Sequence, residues 1–523
     1  MLHRTGIRFL TVLSLCIGQV ACTAPRWDTR LTVASAGRIS SLDPAQANGG
    51  STIQLLSALG DPLYALDQQG RLEPRLASDL PQISPDGRTV TIPLRRDVLF
   101  HDGTRFDAEA MAFSLRRFLS IGTLSYVVGD RIASVDVADP YTLRLSLNRR
   151  STSLEGLLTS LNLTPISPTA YADHNDRFLH DRFVGTGPYR LTSFSEHQQR
   201  LEPFDRYWGA APKNSGLDLI TLSNSTALYG ALRSGEVDVL LSASIDEDQR
   251  HALHQQALRG ELNEGVGPAT GIGYITLLSN AKPLQDQRLR RALALSLNRE
   301  EISRRVSYGL RTPLRSLVPP GLPGGGQNSW PTHDPKAARQ LLSEAGYCDG
   351  QPLTIPLTFR SNVPADKLLA LTWQAQVQRD LPDCLVLDLD GVESTTIYRQ
   401  LDKGAYKSVI LDWSGQYPDP EAYLTPLLSC VTSDGDICLE GEAAISGSFW
   451  STPGLQQSLQ ASDALRGPAR LTPLKQVEQL SAQGAAYIPV WLEAPRAWGQ
   501  TDLSIPDFDG SGRVLLHQLT RNS

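Results

Sequence analysis

Residues 89–119 read Thr89-Val90-Thr91-Ile92-Pro93-Leu94-Arg95-Arg96-Asp97-Val98-Leu99-Phe100-His101-Asp102-Gly103-Thr104-Arg105-Phe106-Asp107-Ala108-Glu109-Ala110-Met111-Ala112-Phe113-Ser114-Leu115-Arg116-Arg117-Phe118-Leu119. Residues 89–94 alternate as a half-buried strand does, and Asp102-Gly103 supplies its turn. After Asp107, a residue suited to capping a helix, apolar side chains at 108, 111, 112, 115, 118 and 119 recur at spacings of three and four. The period of the pattern therefore changes from two to 3.6 within one short stretch.

The same change recurs in both directions along the chain. Leu31-Thr32-Val33-Ala34 predicts a buried strand, and a helix follows from Thr52 to about Leu59. Thr142 to Leu147 alternates as another strand. Asn298 with Glu301 three places on forms a capping box, and Asp334-Pro335 opens a helix closed by Gly346. Residues 189–194 and 200–204 predict a hairpin around Glu196-His197-Gln198-Gln199. Strands alternating with helices make the fold class α/β with mixed sheets. Pro319-Pro320-Gly321-Leu322-Pro323-Gly324-Gly325-Gly326 reads as an extended surface linker or domain boundary. No Lys-Ser or Lys-Thr closes that run, so it is no phosphate loop.

A chain of 523 residues, 41% hydrophobic and 20% charged, is large enough for two or more lobes. Its formal net charge of −6 gives no basic footprint for nucleic acid. The first residues read as a signal peptide over 1–21: His3, Arg4 and Arg8 precede a short apolar stretch from Phe9 to Gly18. Ala21-Cys22 then resembles a bacterial lipobox, which would make Cys22 a lipidated N-terminus and the membrane a partner through that anchor. Gln19 departs from the usual aliphatic residue, so plain cleavage near this point stays open. Four further cysteines in an exported chain favour two disulfides, Cys348 with Cys384 and Cys430 with Cys438. No histidine sits near either pair at zinc-site spacing.

No Gly-x-Ser-x-Gly elbow, His-Glu-x-x-His or Walker sequence occurs, which moves the weight from catalysis to binding. His251 and His254 share a spacing that a solvated helix face explains. Gly185-Thr186-Gly187-Pro188-Tyr189 allows a sharp backbone passage, serving either a tight turn or a ligand. The segment Val409-Ile410-Leu411-Asp412-Trp413-Ser414-Gly415-Gln416-Tyr417-Pro418-Asp419-Pro420 runs from a buried strand into an aromatic loop. Loops at strand ends are where α/β proteins place ligands, so Asp412, Trp413, Ser414, Gln416 and Tyr417 are candidate binding residues.

Taken in order, several motifs resemble one family, the extracytoplasmic solute-binding proteins of peptide, dipeptide and nickel ABC importers (family 5). They are Ser41-Leu42-Asp43-Pro44, Phe100-His101-Asp102-Gly103-Thr104 running into Phe113-Ser114-Leu115-Arg116-Arg117, Gly185 through Tyr189, and Asp205-Arg206-Tyr207-Trp208. Ser234-Gly235-Glu236-Val237-Asp238, Asp286 through Arg299, and Asp334-Pro335 through Tyr347 complete the series. The resemblance implies a two-lobed type II periplasmic-binding-protein fold. Lobe I would comprise residues 27–56, 181–268 and 489–523, with 57–180 as an inserted subdomain, and lobe II residues 269–488. It further implies a monomer that captures an oligopeptide or peptide-like solute without cofactor or catalysis and delivers it to permease subunits. A sensor or chaperone-like protein reporting to a membrane receptor is the alternative. Peptide-binding members commonly carry an aspartate three residues after the tryptophan; this chain has Gln416. Arg360 resembles the position from which dipeptide-type members grip a ligand carboxylate.

Overall fold

The computed structural model describes residues 30–522 apart from 40, 48, 124, 126–130, 242–244 and 416. Cys22 and the 1–21 segment lie outside the described residues, as does Gln416. Three sheets carry the architecture. The first has seven strands in the spatial order Asn263–Val266, Arg496–Gly499, Val239–Leu241, Leu31–Ser35, Leu217–Thr221, Gln198–Pro203 and Tyr189–Phe194. Leu31–Ser35 lies parallel to both its neighbours, so it is enclosed on both sides, and Leu31, Val33 and Ala34 are buried.

The second sheet has six strands in the order Thr312–Pro313, Tyr487–Glu493, Gly271–Leu277, Ser408–Ser414, Leu353–Arg360 and Leu385–Val392. Its central strand Gly271–Leu277 runs antiparallel to both neighbours. One face packs on helices Gln287–Ser296, Arg299–Ser307 and Pro364–Asp380 through Ile275, Leu293, Ile302, Trp373 and Ile410. The other face carries Tyr274, Val409 and Leu411 into the largest core of the protein, where Tyr423 of helix Glu421–Leu428 joins them. The chain passes between the first two sheets twice, through residues 267–270 and 494–495.

The third sheet has four strands, Gln82–Ile83, Thr89–Pro93, Thr142–Leu147 and Ile132–Asp139, in that order. Helix Ala108–Ile121 covers it, burying Met111, Leu115 and Phe118 against Val90, Ile92 and Leu143. Asp107 caps that helix by accepting from the Ala110 amide at 2.9 Å. Asn298 and Asp334 cap their helices in the same way.

Two buried carboxylates tie together the segments around the first and third sheets, and they explain four of the sequence motifs. Asp43 forms a two-pronged ion pair with Arg117 at 2.9 and 2.6 Å and also accepts from the Ala45 and Leu179 amides. Arg117 uses two of its remaining donors on the carbonyls of His174 and Arg177. Asp61 accepts from Thr186, Arg75, Tyr207 and Trp208 at 3.0–3.2 Å. Such charges stay buried because every oxygen is satisfied. At Gly187 a Cβ would stand 2.4 Å from the Leu59 carbonyl carbon, so the Gly185–Tyr189 passage is a packing requirement of helix Gly50–Leu59.

Three details differ from the sequence-based expectation. The 319–326 run is neither extended nor a boundary, because the chain on both sides of it belongs to the second sheet and its helices. It folds into successive turns closed by Leu322 N to Pro319 O, Gly325 N to Leu322 O and Gly326 N to Val318 O. Gly325 permits this folding, since a Cβ there would lie 2.0 Å from the Pro319 oxygen. The hairpin's second strand begins at Gln198, two residues before the polar-to-apolar change suggests, because the Ser195 amide donates to the Gln198 carbonyl and tightens the turn. His251 and His254 are not simply solvated: His251 stacks on Tyr308 with centroids 4.2 Å apart, and His254 Nδ1 lies 2.6 Å from Glu264.

Candidate functional site

Both crossovers leave from one edge of the six-stranded sheet. There the register places Ser414, Gly271 and Glu493 side by side, at the carboxyl ends of Ser408–Ser414 and Tyr487–Glu493. Leu353–Arg360 lies parallel to Ser408–Ser414 with Leu357 opposite Ser408, which brings Arg360 to the same edge. Strand ends at a crossover between two sheets form the crevice in which open α/β folds hold ligands.

Glu493 anchors the crossover itself. It accepts from Arg250 of helix Glu247–Leu258 at 2.5 Å and from Arg311 at 3.2 Å. Arg311 also pairs with Glu247 at 2.7 Å and lies over the Trp491 ring at 4.8 Å. Burial pushes the Glu493 carboxyl up, but Arg311 and Arg250 outweigh it and hold the group down to about 2. Arg250 belongs to the chain of the first sheet and Arg311 to that of the second, so this cluster spans the two.

The sequence-predicted residues divide into two groups on opposite faces of Ser408–Ser414. Asp412 and Arg360 share one face and are ion-paired. Arg360 is buried, whereas the Asp412 side chain is 58% exposed. Arg360 also holds Asp366 by two bonds, at 2.7 and 3.2 Å, and meets the Tyr398 hydroxyl at 3.2 Å. Burial opposes the Arg360 charge, yet its carboxylate neighbours keep it firmly protonated.

Trp413 turns to the other face, where its Nε1 donates to the Ala422 carbonyl at 2.7 Å. Ser414 is exposed at the strand end. Tyr417 is buried, with its hydroxyl donating to Glu421 at 3.3 Å. Tyr423 secures the loop to the crossover by donating to the Thr270 carbonyl at 2.8 Å. Trp413 and Tyr417 thus hold the loop in shape through buried bonds, while Asp412 and Ser414 face outward.

A polar seam that sequence reasoning missed joins the third sheet to the second lobe. Arg131 pairs with Glu421 in a buried contact. Asp463 accepts from Ser151 at 3.1 Å and Ser153 at 3.4 Å, and pairs with Arg149. Thr152 N donates to the Asp463 carbonyl at 3.0 Å, and Arg466 meets Glu155 at 2.8 Å. Burial raises the Glu421 carboxyl above the ordinary range despite Arg131. The only signal in the sequence was the polar run Arg149-Arg150-Ser151-Thr152-Ser153 after a strand, which does not reveal a partner some 310 residues away.

The structure bonds Cys348 to Cys384 and Cys430 to Cys438. Among the described residues, no cluster of three or more His, Cys, Asp or Glu side chains is arranged to hold a metal, and no helix is long and apolar enough to cross a membrane.

The model for bacterial extracellular solute-binding proteins, family 5 Middle, matches residues 71–435. The chain belongs to this family. Glutathione-binding protein GsiB of Shigella flexneri is 24% identical to this family 5 protein over 503 residues, covering 94% of this chain and 93% of that one. GsiB of Salmonella paratyphi A is 29% identical over 354 residues, 66% of this chain and 67% of that protein. Two solved structures share the fold. A dipeptide binding protein from Pseudoalteromonas sp. SM9913 in complex with Met-Leu aligns with TM-score 0.79 at 22% identity, over 94% of this chain and all of that one. NikA from Brucella suis in complex with Fe(III)-EDTA aligns with TM-score 0.83 at 21% identity, over the same shares. The family 5 protein therefore has the two-lobed type II periplasmic-binding-protein fold.

Proposed function

We propose that this protein is the extracytoplasmic capture component of an ABC importer, closing two lobes on an oligopeptide or peptide-like solute and presenting it to membrane permease subunits. The observation that carries this reading is the pair of crossovers at 267–270 and 494–495. They join two α/β sheets at the edge where Asp412, Ser414 and Arg360 lie. A two-lobed body with only two connections can bend there, and a solute touching both lobes favours the closed form. The ligands named for the relatives, glutathione and Met-Leu, support a peptide-like class.

We assign lobe I to residues 27–56, 181–268 and 494–523, the inserted subdomain to 57–180, and lobe II to 269–493; the boundary expected at 488 moves to 493 because the whole strand Tyr487–Glu493 belongs to the six-stranded sheet. Solute contacts fall to the Asp412–Tyr417 loop, whose sequence carries Gln416 in place of the aspartate common among peptide-binding members. The protein acts by binding alone, as a monomer, held at the membrane by lipid on Cys22. Radiolabelled palmitate incorporation that disappears in Cys22→Ala checks the anchor.

The decisive experiment is mass spectrometry of material released on denaturing the protein purified from an oxidising compartment. A family of peptides or one peptide-like molecule supports the reading. Consistent release of an unrelated solute, or turnover of added peptides, overturns it. Where nothing is released, a thermal-shift screen decides, because a ligand at 100 times its Kd adds about 2.7 kcal/mol of stability.

A further inference from the structure

Arginine offers five N–H donors in a rigid fork, and a ligand carboxylate needs two adjacent ones. At Arg360 four of the five are taken. Nε and one Nη2 proton bind Asp366, and Nη1 serves both Asp412 and Tyr398. One Nη2 proton remains, which cannot make the paired contact.

We propose that Asp412 fills, from within the chain, the carboxylate position of Arg360, so that the cleft admits solutes whose lobe II end is amidated, neutral or cationic and disfavours those with a free carboxylate there. This deepens the peptide-like reading and rests on it. The charge count points the same way. One guanidinium faces two carboxylates, and the outer one, Asp412, is the exposed member. A carboxylate arriving at this wall meets a like charge with no free fork behind it, and like charges in a partly desolvated cleft repel strongly. A cation or an amide N–H meets an acceptor already held in place by Arg360. Asp412 is thus a specificity-determining residue and Arg360 a positioning residue that fixes it.

The test uses wild-type protein and Asp412→Ala, titrated by calorimetry with a mixed dipeptide library bearing free C-termini and with the same library amidated. Asp412 is half-exposed on a strand whose core contacts lie elsewhere, so the variant keeps its fold, checked by an unchanged melting temperature. Wild type binds the amides about tenfold or more tightly than the acids, and Asp412→Ala reverses that order by opening the fork. Equal affinity of wild type for the two libraries, or an unchanged ratio in Asp412→Ala, refutes the self-filled position and leaves the peptide reading intact. Failure of both proteins to bind either library removes the peptide reading and the inference together.

Discussion

Replacing Asp463 by alanine isolates the polar seam between the inserted segment and the second lobe. The carboxylate accepts from Ser151 and Ser153 and pairs with Arg149, whose side chain is 43% exposed. A hydrogen bond to a charged group contributes roughly 1.5–3 kcal/mol, and a half-exposed ion pair adds at most about 1 kcal/mol. The serine bonds are long, so about 2 kcal/mol is a fair total for the closed state. Arg149 is 43% exposed, so the variant leaves no fully buried charge behind. Two kcal/mol corresponds to a shift of about thirtyfold in the open-to-closed ratio. Fluorophores on exposed Gln82 and Lys403 report the separation across the seam by energy transfer. The variant opens in the absence of solute and binds solute correspondingly more weakly, while its melting temperature changes little. An unchanged transfer efficiency would refute the reasoning, since it would mean that the seam does not bias closure.

Three further outcomes follow from buried groups and the disulfides. Glu478, fully buried, takes bonds from Ser316 and the Leu317 and Val318 amides, yet burial pushes its carboxyl from 4.5 up to about 7. The folded state therefore favours the protonated form, so the contribution of Glu478 to stability is largest below about pH 4.5 and is lost, by about 3 kcal/mol in all, as pH rises from there through 7. Glu478→Gln removes that slope, seen by comparing denaturant midpoints at pH 5 and pH 8. Asp43→Ala strands buried Arg117 and costs about 3–5 kcal/mol, measured by the same unfolding curves. Removing the Cys348–Cys384 bond, which spans 36 positions, lowers stability by about 3–4 kcal/mol, against a smaller loss for Cys430–Cys438, spanning 8. Melting temperatures of the two double-alanine variants give the order.

Local features were readable because they follow local rules. The strand at Thr89–Pro93, the capped helix at Ala108–Ile121 and the caps at Asn298 and Asp334 each depend on residues within a few positions. The cysteine pairs were readable because exported chains seldom leave thiols free. What escaped the sequence depends on distant partners. Arg117 gives no sign that its carboxylate is Asp43, nor Ser151 that its acceptor lies in helix Leu455–Ala464. Arg360 shows the limit most clearly, for its resemblance to a carboxylate-gripping position was legible while the two aspartates already holding it were not. The 319–326 run misled because proline and glycine mark both linkers and compact turns, and it is the turn hydrogen bonds within the fold that distinguish them.

Both cystine bonds lie among the helices and strands of the six-stranded sheet's half, and the described residues of the other half contain none. The two jaws of the cleft are thus held by different means, one by covalent staples and the other by packing and buried ion pairs such as Asp43–Arg117. A thiol reductant loosens the first and spares the second. The match in stiffness between the jaws, and with it the quality of their grip, is therefore set by the oxidising power of the compartment in which the protein works.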